Sequence, residues 1–275
     1  MTPHGTNTLL LGASGTGKTY AIRTFIEAGI TPFILCTEPG IESTLGDLPK
    51  DKCHWHYVAP AAPDWAELFD SAKQINTLSY KTLAEKSDMN KRKYGQFLEI
   101  INLCNNFTCN RTGESFGDIA TWGPDRVFVL DSLSGLNTMV MNLVVGSKPT
   151  KSMTDWMVAM DSLERFLTTL VTSLQCFFVL TAHLERETDE TTGGVQLMAA
   201  TLGRKLAPRL PRYFDDVIMA KRDGAIFSWS TAAHNVDLKT RNLPLAENLL
   251  PSFVPIITAW RTKTKNLEAL EPKVS

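Results

Sequence analysis

Eight residues near the start of the chain, Gly12-Ala13-Ser14-Gly15-Thr16-Gly17-Lys18-Thr19, constrain its fold more than any other stretch. They follow the apolar run Thr8-Leu9-Leu10-Leu11 and lead into a helical pattern from Tyr20 to Ala28 that stops at Gly29. Strand, glycine-rich loop and helix in that order is the setting in which G-x-x-x-x-G-K-[ST] means a phosphate-binding loop. Glycines let successive backbone N–H groups turn inward around a β-phosphate, and the helix behind presents its positive end. Lys18 then reaches the β/γ oxygens, and the Thr19 hydroxyl can take a place on Mg²⁺. The expectation is a nucleoside triphosphate site built from Gly12, Ala13, Ser14, Gly15, Thr16, Gly17, Lys18, Thr19 and Tyr20.

A length of 275 residues allows one large α/β domain or two smaller ones. With 43% hydrophobic and 21% charged residues the chain can bury a core. A formal net charge of −1 announces neither a nucleic-acid nor a membrane partner, so any anion-binding surface must come from local clustering. Five cysteines, an odd number with no C-x-x-C pair, read as free thiols in a reducing compartment rather than as a zinc site. No signal-peptide pattern precedes the loop and no apolar run reaches the roughly 18 residues of a membrane span, so a cytoplasmic location is expected.

Further along, Thr31 to Glu38 reads as a second buried strand stopped by Pro39-Gly40. Glu38 stands at its carboxyl tip, the edge where open α/β sheets collect ligands. It is a candidate general base or a solvated turn residue, and position alone does not choose. His54 to Val58 alternates like a short strand, and Trp65 to Lys73 follows as an amphipathic helix. His54 and His56 share a face but lack a third metal ligand, so packing is the expected role. The stretch from about Leu78 to Trp122 is the least readable. Lys81, Lys86, Lys91, Arg92 and Lys93 suggest a solvated basic face, Phe97 to Leu103 has helical spacing, and Asn110 to Gly123 is loop-like.

Arg126 to Leu130 is another buried strand and ends in Asp131. In phosphate-loop proteins such a strand is expected beside the first, with its carboxylate on Mg²⁺ opposite Thr19. Thr154 to Ser173 has helical periodicity, with Thr154 as the candidate N-cap. Cys176 to Ala182 is a fourth buried strand that delivers His183 to the same edge, as a γ-phosphate sensor or a simple cap. Glu185 to Gly203 reads as a mobile loop. After it, Arg204, Lys205, Arg209 and Arg212 form the densest positive patch in the chain. Val217 to Ala220 is a strand, Ile226–Ser230 and Asn235–Arg241 look like paired antiparallel strands, and the tail reads as a packed helix with a frayed end.

These elements resemble the RecA-like ATPases, in particular small phage proteins that are little more than a RecA core and act in single-strand annealing. The resemblance rests on GASGTGKT at 12–19, FILCTE at 33–38, VFVLDSLSGL at 127–136, FFVLTAH at 177–183, ETTGGVQL at 190–197, FDDVIMAKRDG at 214–224 and LKTRN at 238–242. It implies an α/β fold: a mostly parallel central sheet with helices on both faces and antiparallel strands toward the C-terminus. Residues 1–245 would form the core, with an insertion at about 78–122, and 246–275 a helical extension and tail. The resemblance further implies ATP and Mg²⁺ as ligands and Lys18, Glu38 and His183 as catalytic residues. Glu38 would orient the attacking water, since Asp131 is followed by Ser132 and not by an acid. Lys239 and Arg241 match a K-x-R pair that reaches the neighbouring subunit's γ-phosphate, which makes the protein a homo-oligomer. Arg204, Lys205, Arg209 and Arg212 would contact single-stranded DNA without sequence readout, and a single-strand DNA-binding protein is a further implied partner. A ring motor such as a helicase or a KaiC-like regulatory ATPase, and a non-hydrolysing assembly protein, are the alternatives.

Overall fold

Runs that are apolar at every position need cover on both faces of a sheet, and here they receive it. The computed structural model describes residues 4–61, 64–85, 91–146, 150–188, 194–203 and 205–270. Its strands are β1 (Asn7–Leu11), β2 (Thr31–Cys36), β3 (His54–Tyr57), β4 (Arg126–Asp131), β5 (Phe177–Ala182), β6 (Leu184–Thr188), β7 (Val195–Ala199), β8 (Asp216–Asp223) and β9 (Ile226–Ser230). The main sheet has seven of them in the order β3-β2-β4-β5-β1-β8-β9, and β6 with β7 forms a separate hairpin. Every pairing in the main sheet is parallel except the last, β8 with β9.

The helices are α1 (Lys18–Ala21), α2 (Thr24–Glu27), α3 (Ile41–Leu45), α4 (Trp65–Thr77), α5 (Tyr80–Glu85), α6 (Gln96–Asn105), α7 (Leu133–Val145), α8 (Met153–Ser173) and α9 (Val254–Leu270). The two-residue period of a strand divides the core between them. Leu9, Leu11, Phe33, Leu35, Phe128, Leu130, Phe178 and Leu180 join α6, α7 and α8 on one face. Leu10, Ile34, Cys36, Val127, Val129, Phe177 and Val179 join α1, α2, α3 and α9 on the other. The α/β class with a mostly parallel sheet, helices on both faces and an antiparallel edge is the one the sequence implied. The hard-to-read stretch before β4 packs onto the first face through aromatic rings. Phe33 meets Phe107, Phe116 and Trp122 at centroid distances of 5.6, 4.8 and 4.5 Å. His54 is buried and stacks on Phe33 at 4.8 Å, a packing role.

Several expectations need correction. β4 does not lie beside β1, because β5 runs between them and pairs with both. Helix α8 is capped by Ser152 rather than Thr154: Ser152 and Asp155 satisfy each other's backbone N–H groups in a capping box. The segment expected as a mobile loop is largely the β6–β7 hairpin, and residues 189–193 lie outside the described residues. Residues 235–241 do not pair with β9. Val236 bridges to Leu197 and Lys239 to Val217, while the strand-like partner of Trp229 on β9 is Leu249. Just beyond Lys239, the fully buried Asp216 carboxylate accepts from Thr240 Oγ1, Arg241 N, Asn242 N and Asn242 Nδ2 and holds residues 240–242 in a turn.

All five cysteines are free, and Cys36, Cys53, Cys109 and Cys176 are buried. Burial pushes the Cys53, Cys104 and Cys176 thiols up to about 12, which leaves them inert. Burial acts on Cys109 in the same sense, but hydrogen bonds from the His54 side chain and from the Trp55, Thr112 and Arg111 backbone outweigh it and lower that thiol to about 6. Among the described residues no helix is long and apolar enough to cross a membrane.

Candidate nucleotide site

Strand β1 ends at Leu11, and the next amide, Gly12 N, donates to Ala182 O at the end of β5 at 3.1 Å. The chain then turns through Gly15 and Gly17, with φ of 74° and 80°, the left-handed region that glycine enters without strain. Lys18 opens α1 and folds back over this loop, its Nζ donating to Gly12 O at 2.8 Å and Ala13 O at 2.9 Å. Its burial lowers the ammonium pKa from the usual lysine range, while the charges of Asp131 and Glu38 pull the other way. A cation held against the loop by two neutral carbonyls is well placed to exchange them for phosphate oxygens.

Asp131 closes β4 opposite the loop. Thr19 Oγ1 donates to Asp131 Oδ2 at 2.6 Å, and Thr181 Oγ1 of β5 donates to Asp131 Oδ1. Burial raises the Asp131 pKa above the usual carboxylate range; the Thr181 and Thr19 hydrogen bonds and Lys18 oppose the rise, and Glu38 adds to it. One carboxylate and one hydroxyl at the mouth of an open cavity suit Mg²⁺, a hard cation that keeps most of its shell as water and phosphate oxygen. Among the described residues no group of three or more His, Cys, Asp or Glu could form a metal cage of its own.

Glu38 follows β2 and faces the same space. Ser132 Oγ donates to Glu38 Oε1, and His183 Nε2 lies 3.4 Å from Glu38 Oε2. Thr37 supports this pair from beneath: its hydroxyl donates to Ser132 O at 2.7 Å and accepts from Ser132 N at 3.0 Å. The arrangement needs Gly135 on α7, since a Cβ there would lie 2.3 Å from Thr37 Oγ1. Thus β1, β2, β4 and β5 bring Lys18, Thr19, Glu38, Asp131 and His183 to one sheet edge. They line a cavity of about 840 Å³ together with the loop from Ser14 onward, Tyr20 and residues that the sequence reading missed, among them Glu27, Thr44, Phe227, Leu250, Pro251 and Ser252. Thr181, Ser132 and Thr37 were also missed, although each is a polar residue at the end of an apolar run and so carries a faint signal.

The cations assigned elsewhere stay apart from this cavity. Lys239 Nζ donates to Pro211 O at 3.3 Å, and Arg241 pairs with Asp215 at 2.8 Å, toward the amino end of β8. Arg204 lies outside the described residues. Lys205, Arg209 and Arg212 are exposed, but the patch is not purely positive: Glu164 on α8 lies 3.8 Å from Arg209 and 3.6 Å from Arg212. Glu164 is far from these cations along the chain, so only the fold brings it to them.

Residues 4–243 match the AAA domain family designated AAA_24. The chain belongs to that family. Its phosphate loop, Glu38, Asp131, His183 and the K-x-R pair all fall within the matched span, whereas Leu250, Pro251 and Ser252 fall outside it. No curated protein matches the chain. Among solved structures it is similar to the assembled ATPase EscN of the enteropathogenic E. coli type III secretion system, at 13% identity and a TM-score of 0.42. That match covers 97% of this chain and 55% of EscN, so the chain spans about half the length of that relative. It is also similar to the flagellar accessory protein FlaH of Methanocaldococcus jannaschii, at 11% identity and a TM-score of 0.35, covering 83% of this chain and 77% of FlaH.

Proposed function

We propose that the protein hydrolyses ATP, assembles with copies of itself and acts on single-stranded DNA in recombination or annealing. The observation that carries the hydrolytic reading is Glu38: a carboxylate held by Ser132, beside His183, on the same edge as Lys18, Thr19 and Asp131. In this reading the loop amides and Lys18 hold the β- and γ-phosphates. Thr19 and Asp131 would hold Mg²⁺, which when bound neutralises charge on the phosphate oxygens. Glu38 orients a water and takes its proton as the water oxygen bonds to the γ-phosphorus and the bond to the β-phosphate oxygen breaks, giving ADP and phosphate. His183 stands 3.4 Å from Glu38 and lines the cavity where the transferred group would lie, which suits a sensor.

Self-assembly is supported by α4, which exposes Trp65 at 86% and Phe69 at 67% on a helix with no buried residue. In an assembly, Lys239 and Arg241 would serve the neighbour's site. The DNA reading is supported by exposed Lys205, Arg209 and Arg212 after the β6–β7 hairpin, cations that bind phosphates irrespective of sequence. The test is phosphate release from Mg-ATP with and without single-stranded DNA. Hydrolysis that rises with DNA is expected. No hydrolysis under either condition refutes the enzyme, and hydrolysis indifferent to DNA refutes the DNA role.

A further inference from the structure

Two buried hydroxyls stand behind Glu38, and neither takes a proton nor holds a phosphate in the hydrolysis. Thr37 is fully buried and Ser132 is 1% exposed, whereas the Glu38 side chain is 40% exposed. A buried hydroxyl costs stability unless it is bonded, and an apolar residue of the same size carries no such cost. Here both hydroxyls are bonded, and the bonds tie the tip of β2 to the tip of β4. The main-chain ladder between these strands ends at the pair Cys36 and Asp131, and Thr37 N adds one more bond, to Asp131 O at 2.8 Å. Beyond that point side chains take over. Thr37 Oγ1 donates to Ser132 O at 2.7 Å and accepts from Ser132 N at 3.0 Å, so residue 132 is held at both of its backbone polar groups. The Ser132 hydroxyl then reaches back across the gap to Glu38.

We infer that Thr37 and Ser132 are positioning residues that decide which oxygen of Glu38 meets the attacking water. The inference rests on the reading of Glu38 as the base. Ser132 Oγ accepts from Ser134 N at 3.2 Å at the start of α7, so its single proton is left for Glu38 Oε1. That bond occupies Oε1. Oε2 has the longer contact, 3.4 Å from His183 Nε2, at the side where Glu38 and His183 both line the cavity. The water's proton therefore goes to Oε2, as the water oxygen bonds to the γ-phosphorus and the bond from that phosphorus to the β-phosphate oxygen breaks. Without the clamp, a half-exposed glutamate just past a strand end would sample many combinations of its side-chain torsions. Thr37 adjoins Glu38 in sequence and grips the residue that grips Glu38. The backbone at residue 37 and the carboxylate at 38 are thus referred to one fixed point, Ser132. Room for this clamp comes from Gly135, where a Cβ would lie 2.6 Å from both Thr37 Cβ and Thr37 O.

The experiment measures steady-state phosphate release and equilibrium ATP binding, with Mg²⁺, for the full chain and five variants. These are Ser132→Ala, Thr37→Val, Thr37→Ser, Glu38→Gln, and Ser132→Ala combined with Glu38→Gln. A misplacement of about 1 Å costs on the order of 10²-fold in rate, so kcat should fall by roughly 10- to 100-fold in Ser132→Ala, with ATP affinity unchanged. Thr37→Val keeps the volume and removes the hydroxyl, and it should lower kcat in the same sense. Thr37→Ser keeps the hydroxyl and should recover most of the rate. The double variant is decisive. If Ser132 works through Glu38, Ser132→Ala should take nothing further from the rate of Glu38→Gln, because the base it places is already gone. A Ser132 that only caps α7 lowers the rate by the same factor in both backgrounds, and that result overturns the inference. So does a kcat in Ser132→Ala within about threefold of wild type, or a fall in ATP affinity that matches the fall in rate in both hydroxyl-free variants. Failure of the base reading looks different: Glu38→Gln then keeps the wild-type rate, and the positioning role falls with it.

Discussion

Glu38→Gln tests the chemistry with little disturbance to the fold. The Gln amide oxygen can keep the hydrogen bond from Ser132, and its NH₂ can face His183, so the side chain should stay where Glu38 stands. The pair with His183 is partly exposed, 40% for Glu38 and 27% for His183, and such pairs contribute about 0–1 kcal/mol, so stability should scarcely change. Glutamine cannot accept the proton of an attacking water. Losing a positioned base costs on the order of 10²–10⁴ in rate, which at about 1.36 kcal/mol per decade is roughly 2.7–5.4 kcal/mol of barrier. Lys18, Thr19 and Asp131 remain in place, so ATP affinity should be retained. The assay pairs steady-state phosphate release at saturating Mg-ATP with an independent ATP titration. A rate within about fivefold of wild type would be too small for a lost base and would refute the assignment. A parallel loss of ATP binding would make Glu38 a support for the site rather than its base.

Three further outcomes follow from the same geometry. Asp131→Asn should stabilise the unliganded fold at pH 7: the raised pKa means that the ionised carboxylate costs stability above its folded-state pKa, a cost that fades on acidification and is gone below the ordinary Asp value. The urea midpoint should therefore rise at pH 7, the gain should shrink toward pH 4, and Mg-ATP should no longer add stability; no gain at pH 7 contradicts the argument. Replacing Lys205, Arg209 and Arg212 by Ala should weaken single-stranded DNA binding and flatten its salt slope, whereas Glu164→Gln, which releases Arg209 and Arg212, should strengthen binding. Unchanged affinity in both variants moves the DNA path elsewhere. Mixing Arg241→Ala with Lys18→Ala should restore ATPase activity that neither has alone, because each supplies what the other lacks; no recovery refutes a shared site.

Legibility in the sequence followed how local each signal is. The loop, the buried strands and the acids Glu38 and Asp131 were readable, because a continuous apolar run ending in a polar residue is a local pattern with one structural meaning in a parallel sheet. Strand order was not local: β5 enters between β1 and β4, and only the three-dimensional pairing shows that Thr181 completes the hold on Asp131. Asn235 to Arg241 carried the alternation of a strand, yet its bridges go to Leu197 and Val217 instead of β9, and the buried Asp216 carboxylate captures residues 240–242. The positive patch read as unopposed because Glu164 faces it from a distant helix. The apolar wall of the cavity escaped notice since Phe227 and Leu250 belong to segments joined only by the bridge between Trp229 and Leu249.

The same register sets demanding terms for a shared site. Lys239 lies opposite Val217, and Val217 lies opposite Leu9, so Lys239 sits three residues before Gly12 along the strand direction, about 10 Å at roughly 3.3 Å per residue. Both it and Arg241 therefore lie toward the amino end of the strands, away from the edge where their own phosphate loop opens, so in the proposed assembly they would serve a neighbour's loop. Their base is rigid, because Asp216 fixes the backbone at 241 and 242. Their tips are cheaply released: Arg241 is 66% exposed in its pair with Asp215, and an ion pair of that kind holds by about 0–1 kcal/mol. A guanidinium leaving Asp215 for a phosphate gains a charge-assisted, bidentate partner in a drier setting. A stiff turn held by a buried carboxylate and carrying weakly tethered cations would suit the proposed delivery across an interface.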